Sequence, residues 1–176
     1  MPSTLVLGRD MNATGTDIGP EVTLILDAAL NHHKQTGSKL VVAAGFSPDF
    51  PNQPRSYAAM MADWLTQRGA TDVEVLSAAE FNTYGELAVY HTFCAENHED
   101  FPEVMGFDWH LLRVRLEARR VGDWSSNLRF VPVMAPMPLF DMFVEPLKVL
   151  KHLLPRRWQV RVIEMYRRYI SSRTSY

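Results

Sequence analysis

Hydrophobic positions along the chain alternate between short β-rich runs and longer stretches with helical spacing. The runs that predict strands are residues 4–8, 39–45, 72–76, 103–107 and 128–133. Strands that alternate with helices favour right-handed βαβ crossovers and a parallel sheet. No hairpin turn signal joins two of these runs. We therefore predict an α/β fold, a three-layer Rossmann-like sandwich around a mainly parallel five-stranded sheet.

The first two helical patterns have recognisable ends. Apolar positions at 3.6 spacing predict a first helix that Asp17 caps and Gly37 ends. Tyrosine, methionine, tryptophan and leucine over residues 57–65 predict a second helix that ends at Gly69 and faces the core.

The later elements carry sharper local signals. Thr83 and Glu86 fit the capping box, which makes Thr83 the cap of the third helix and leaves Asn82 without a capping role. Residues 109–121 form a strong helical pattern. Pro132 lacks a backbone N–H and predicts an edge position for the last strand or an early end to it.

The pattern changes after Pro138. Residues 140–154 and 156–171 read as two amphipathic helices with no strand between them. We predict that residues 1–138 form the α/β domain and that residues 139–176 form a helical extension, packed on it or projecting from it.

Charge is distributed unevenly along the 176 residues. The net charge is −2, yet residues 145–176 carry +6 and the remainder carries −8. A basic tail of this kind suits contact with nucleic acid, a protein partner or an anionic membrane surface through residues 156–173, as well as packing on the acidic body. A non-enzymatic interaction protein is therefore one functional alternative.

Several classes of site and location find no support in the sequence. Cys94 is the single cysteine, which excludes an internal disulfide and any Cys-rich zinc site. The pair His32 and His33 lacks metal-ligand spacing, and we expect no metal. No run approaches the roughly 18 apolar residues of a membrane span, and the first residues do not resemble a signal peptide. We predict a cytoplasmic protein.

Polar residues gather where the predicted strands end. In open parallel sheets ligands bind beyond the carboxyl ends of the strands, so residues after different strands meet along one edge. The candidate ligand contacts are Gly8, Arg9, Asp10, Gly45, Asn82, Thr83, Glu86, His110 and Arg113.

Two of these candidates have a definite chemistry. His110 and Arg113 are three residues apart and share one helical face, where arginine suits a carboxylate or phosphate and histidine suits proton transfer. His110 is the candidate general acid or base. Gly8 and Gly45 have a structural alternative, since either suits a tight strand-to-helix turn. The chain has no GxGxxG, phosphate-loop or GxSxG motif, so no reaction class follows from a motif.

An ordered set of short segments resembles the YdcF/SanA/ElyC-like family, a bacterial group with a Rossmann-like α/β fold. The segments are LVLG at 5–8, VVAAG at 41–45, ADWLTQRGA at 62–70, FNTYGE at 81–86 and FDWHLLR at 107–113. The family's Asn-Thr followed by Glu resembles Asn82, Thr83 and Glu86, and its His-x-x-Arg resembles His110 and Arg113.

The resemblance implies a small-molecule ligand of nucleotide-like type, with S-adenosylmethionine as one candidate. Several departures from the family pattern bear on activity, including the spacing of Asn82, Thr83 and Glu86, which is one residue longer than in the family. The family's Ser-Gly-Gly turn after the second strand is Ala44-Gly45-Phe46 here, and its Ser-Glu-Ala at the second helix is Ser56-Tyr57-Ala58. Whether the protein is an enzyme or a binding protein stays open at this point.

Overall fold

The computed structural model describes residues 2–8, 12, 14–47, 50, 52–78, 82–122 and 127–153. The chain divides into two compact units, one ending at Ala135 and the other beginning at Pro136. The sequence pattern had suggested Pro138 as the end of the first unit. Among the candidate ligand contacts, Arg9 and Asp10 lie outside the described residues.

The first unit alternates strands and helices from end to end. Its elements are β1 (Ser3–Val6), α1 (Pro20–Thr36), β2 (Lys39–Ala43), α2 (Tyr57–Gln67), β3 (Val73–Leu76), α3 (Thr83–Glu96), β4 (Glu103–Phe107), α4 (Asp108–Val121) and β5 (Arg129–Val133). The five strands form one sheet in the order β3-β2-β1-β4-β5, and every neighbouring pair is parallel. The α/β fold with a parallel five-stranded sheet is therefore confirmed.

The helices cover both faces of the sheet, which explains why the strands are almost wholly apolar. Buried residues of α1 and α2, such as Ile25 and Met61, pack with Val6 and Val42 on one face. Buried residues of α3 and α4, such as Leu87, pack on the other face. The sheet order changes direction at β1, so the connections that leave β1 and β4 turn to opposite faces. This is the position at which open α/β sheets bind ligands.

Three local predictions concern α1 and β5. Asp17 is not the cap of α1: Gly19 occupies that position without a side-chain hydrogen bond, and Oδ1 of Asp17 accepts from the N–H of Ile18 at 2.8 Å. Gly37 ends α1 in the left-handed conformation, as predicted. Pro132 lies in β5 at the edge of the sheet, also as predicted.

A buried polar network lies where the strands begin. Oε2 of Glu103, at the start of β4, lies 2.7 Å from Nε2 of His32 and accepts a 3.0 Å hydrogen bond from Oγ1 of Thr4. Oγ1 of Thr4 also lies 3.3 Å from Oγ of Ser38, within hydrogen-bond distance. The network joins α1 to two adjacent strands. The sequence offered no carboxylate near His32, because its partner comes 71 residues later.

The second unit contains α5 (Leu139–Leu153). Asp141, Val144 and Glu145 of α5 are buried. The predicted second helix over residues 156–171, and the proposed contact surface of residues 156–173, lie outside the described residues. In the part of the chain that the structure describes, no helix combines the length and apolarity needed to cross a bilayer.

Candidate functional site

The site is built on the first turns of α3 and α4, which are next to each other at the carboxyl edge of the sheet. Asn82 is the cap of α3, because its Oδ1 accepts from the N–H of Gly85 at 2.8 Å. The predicted capping box, with Thr83 as the cap and Asn82 spared, is therefore wrong by one residue. Thr83 is the first residue of the helix, and its side chain turns to a different partner.

That partner is Arg113, in the second turn of α4. Nη1 of Arg113 donates to Oγ1 of Thr83 at 3.3 Å, and Nη2 donates to Nδ1 of His110 at 3.0 Å. The same Nη2 lies 3.4 Å from Nε2 of His110, and we assign the hydrogen bond to the shorter contact. A guanidinium can only donate, so Nδ1 of His110 carries no proton in this arrangement.

The fourth member of the cluster is Glu86, one turn into α3 and 6% exposed. Burial raises the pKa of Glu86 to about 8, and the positive charge of Arg113 opposes part of that rise. At neutral pH this carboxyl is mostly protonated. It therefore stands beside Arg113 mainly as a neutral hydrogen-bonding group rather than as the negative half of an ion pair.

The structure thus brings together Thr83, Glu86, His110 and Arg113 from two helices, 30 residues apart at the Arg113–Thr83 contact. Thr83, Glu86 and His110 are buried, and Arg113 is half-buried. The arrangement can donate hydrogen bonds to an anionic group through the guanidinium and move a proton through the imidazole or the carboxyl.

Gly8 and Gly45 have packing roles at the same edge of the sheet. A Cβ at Gly8 would lie 2.4 Å from Cε1 of Tyr57 and 2.7 Å from Sδ of Met61, both on α2. A Cβ at Gly45 would lie 2.7 Å from the backbone oxygen of Ala78. Close approach therefore favours glycine at both positions, more strictly at Gly45, where the neighbouring atom belongs to the backbone. A ligand contact at either one stays a prediction.

Asp108 is a polar residue that the candidate list omitted. It is the first residue of α4, directly after β4, and its Oδ1 is buried without a hydrogen-bond partner among the residues that the structure describes. An unsatisfied buried acceptor costs on the order of 1–3 kcal/mol, so a donor that fills it is favoured. A carboxylate in the first turn of a helix is common, because it interacts favourably with the helix dipole.

A concave region lies at the other edge of the sheet, where β4 begins. It is a cavity of about 320 Å³ whose lining includes His91, Cys94, His98 and Glu99. Burial raises the pKa of the Cys94 thiol to about 11, so this cysteine is not a thiolate at neutral pH. Within the described ranges, no group of three or more histidine, cysteine or acidic side chains is arranged to hold a metal ion.

The comparisons with known proteins add no family assignment. No family model, no curated protein and no solved structure matches this chain. The relation to the YdcF/SanA/ElyC-like family therefore stays a resemblance carried by the short segments described above.

Proposed function

We propose that the protein binds a small anionic or nucleotide-like molecule at the carboxyl edge of its parallel sheet, where α3 and α4 begin. The observation that carries the proposal is the contact of Arg113 with both Thr83 and His110 at that edge. An incoming carboxylate or phosphate would share the guanidinium with these two residues or displace one of them.

The state of Glu86 supports an anionic ligand rather than a cationic one. A carboxylate beside Arg113 would compete with a ligand anion for the guanidinium. Because burial keeps the Glu86 carboxyl mostly protonated at neutral pH, that competition is weak. The proposal implies that affinity for an anion falls as the pH rises through about 8, where Glu86 ionises.

Asp108 supports a ligand that also has hydrogen-bond donors. Its buried Oδ1 would accept from a hydroxyl or amino group. A molecule with a carboxylate or phosphate at one end and hydroxyl or amino groups elsewhere has the required combination. S-adenosylmethionine is one candidate of this class, and nucleotides and sugar phosphates are others.

His110 is the residue that we propose for any chemistry at this site. With one ring nitrogen accepting from Arg113, the imidazole offers its other N–H to a ligand as a hydrogen-bond donor, and it exchanges a proton with the ligand only when the guanidinium releases the first nitrogen. A site that binds without reaction would need only the donor role. The proposal of ligand binding is thus independent of catalysis.

The test is a thermal-shift screen of S-adenosylmethionine, nucleotides and sugar phosphates, followed by calorimetric titration of each hit. We expect at least one hit, a loss of about tenfold or more in affinity in Arg113→Ala, and no change in Arg119→Ala. Arg119 is an exposed arginine of the same helix and serves as the matched control. A screen without hits, or hits that bind Arg113→Ala as tightly as the unaltered protein, would overturn the proposal.

Arg113→Lys covers the case in which the alanine variant unfolds. Lysine keeps the charge and loses the planar fork of donors, so a bidentate contact predicts weaker binding in a folded variant. Equal affinity in Arg113→Lys would contradict the bidentate contact. A further titration at pH 7 and pH 9 should show weaker binding at pH 9, and Glu86→Gln should remove that difference.

A further inference from the structure

α5 has an exposed apolar stripe along its length. Its members follow helical spacing of three and four residues, and they are Leu139, Met142, Phe143, Pro146, Leu147 and Leu150. Leu139 is 78% exposed and Phe143 is 75% exposed. At 1.5 Å per residue the stripe is about 16 Å long. Scattered apolar side chains on a surface are ordinary, whereas a contiguous stripe marks an interaction site.

The charged residues of α5 lie on its other side. The carboxylates of Asp141 and Glu145 are buried, and Nζ of Lys148 donates to Oε1 of Glu145 at 2.9 Å. The usual amphipathic arrangement buries the apolar face and exposes the charged one. In α5 the arrangement is reversed, so the acidic groups are withdrawn from the surface that carries the stripe.

We propose that this stripe docks on the surface of an anionic lipid bilayer, with α5 lying in the plane of the interface. Residues 136–176 carry eight Lys and Arg against three acidic residues, a net charge of +5. Asp141 and Glu145, two of these three acids, are buried. An apolar stripe within a cationic unit matches a surface that offers acyl chains below and negative headgroups above.

The charge also decides between the bilayer and other occupants. Two copies of this unit would bring +5 against +5, which opposes their association at low ionic strength. A nucleic acid would match the charge. Its phosphate backbone, however, offers no apolar surface that could cover exposed leucine, methionine and phenylalanine side chains. The bilayer satisfies both the charge and the apolar stripe. Docking needs no spanning helix, in keeping with the described part of the chain.

The docked state has a defined geometry. An interfacial helix places its apolar side chains about 5–10 Å into the boundary between headgroups and acyl chains. Phe143 and Leu147 lie one turn apart near the middle of the stripe and would insert first. Attraction between basic residues and anionic headgroups weakens with salt, whereas insertion of the stripe does not, so both contributions are measurable.

The experiment is flotation of the full-length protein with vesicles of phosphatidylcholine alone and with added phosphatidylglycerol. We expect binding to the anionic vesicles, weaker binding to the zwitterionic ones, and at least tenfold weaker binding of Phe143→Ser/Leu147→Ser to the anionic vesicles. Leu24→Ser/Leu112→Ser is the matched control, because these leucines are 50% and 55% exposed on α1 and α4. It should bind like the unaltered protein.

Other outcomes overturn the proposal. Failure to float with anionic vesicles excludes it directly. Equal flotation of the stripe variant would assign the binding to basic residues alone. A dimer that light scattering detects, and that the stripe variant abolishes without vesicle binding, would make the stripe an interface between copies. A fall of several degrees in Tm in both Phe143→Ser/Leu147→Ser and the single variant Leu139→Ser would show that the chain itself covers the stripe.

Discussion

Nη1 of Arg113 and Oγ1 of Thr83 lie 3.3 Å apart, and this hydrogen bond joins the second turn of α4 to the first residue of α3. The candidate site therefore also contributes to the packing of α3 against α4. A ligand that engages Arg113 acts on both helices at once. Ligand binding and the stability of the contact between α3 and α4 should therefore change together.

A double-mutant cycle measures the coupling free energy of this hydrogen bond. We expect Arg113→Ala and Thr83→Val to destabilise the protein individually and to show a coupling of about 0.5–1.5 kcal/mol, the usual net value of one hydrogen bond. Urea unfolding of the four proteins gives the number. Pairing Arg113→Ala with Thr92→Val, an exposed threonine of α3, should give additive effects. Additivity in the first cycle would contradict the contact.

The burial of Glu86 predicts a specific dependence of stability on pH. Its pKa is about 8 in the folded protein against an ordinary 4.5, so the folded state holds a proton that the unfolded state has lost between these two values. Stability should therefore fall as the pH rises from about 4.5 to about 8, by about 1.4 kcal/mol per pH unit from this group, and then level off.

Glu86→Gln should remove this contribution, because the amide does not ionise. Urea unfolding from pH 5 to pH 9 should show a shallower decline for Glu86→Gln than for the unaltered protein. Glu96→Gln, an exposed residue at the end of the same helix, should follow the unaltered curve. Parallel curves for all three proteins would mean that Glu86 ionises normally.

The role of Asn82 as a cap gives a third prediction. Asn82→Ala removes the acceptor for the N–H of Gly85 and should lower the free energy of unfolding by about 1 kcal/mol. Asn82→Asp keeps a capping oxygen and should retain most of the stability. Chemical denaturation distinguishes the two variants, and equal losses in both would show that the side chain is not the cap.

The hydrogen-bond network of Thr4, His32 and Glu103, where the strands begin, gives the fourth prediction. Glu103→Ala leaves Thr4 and His32 without their shared acceptor and should cost about 1.5–3 kcal/mol, as for other buried hydrogen bonds to a charged group. Glu74 is a surface glutamate of β3 that lies 3.7 Å from Lys39. Glu74→Ala should cost less than about 1 kcal/mol. Thermal and urea unfolding of both variants compare them directly.

Close packing at Gly45 gives the last prediction. In Gly45→Ala the new methyl meets a backbone oxygen that cannot turn aside, so a loss of about 1–3 kcal/mol is expected. At Gly106 the nearest atom to a new Cβ is 3.5 Å away, an ordinary contact. Gly106→Ala should be tolerated, and Tm measurements on the two variants decide the matter.

The fold followed from the sequence because each step was local. Apolar strands that carry no alternating polar face indicate a sheet covered on both sides, and helical patterns between them leave parallel crossovers as the natural connection. The meeting of Thr83 and Glu86 with His110 and Arg113 then followed from topology, since all four lie in the segments that follow β3 and β4.

The prediction of the α3 cap failed because two neighbouring residues are both suitable for that position. Asn82 and Thr83 are both good capping residues, and only the backbone conformation decides which one occupies the cap. The pairing of His32 with Glu103 could not be predicted from the sequence for a different reason. These side chains are 71 residues apart and meet only through the packing of α1 against β4. The exposed apolar stripe and buried acidic residues of α5 likewise reverse the usual amphipathic pattern.

The central place of β1 also affects how the protein is made. One of its two neighbours in the sheet, β4, is synthesised about a hundred residues after it, as the Thr4–Glu103 contact with its separation of 99 residues illustrates. Until then a nascent chain on the ribosome presents an open, apolar edge on its innermost strand. Termination of translation before β4 would leave that edge unpaired and prone to aggregate. The sheet is therefore protected from edge-to-edge aggregation only once β4 has been synthesised.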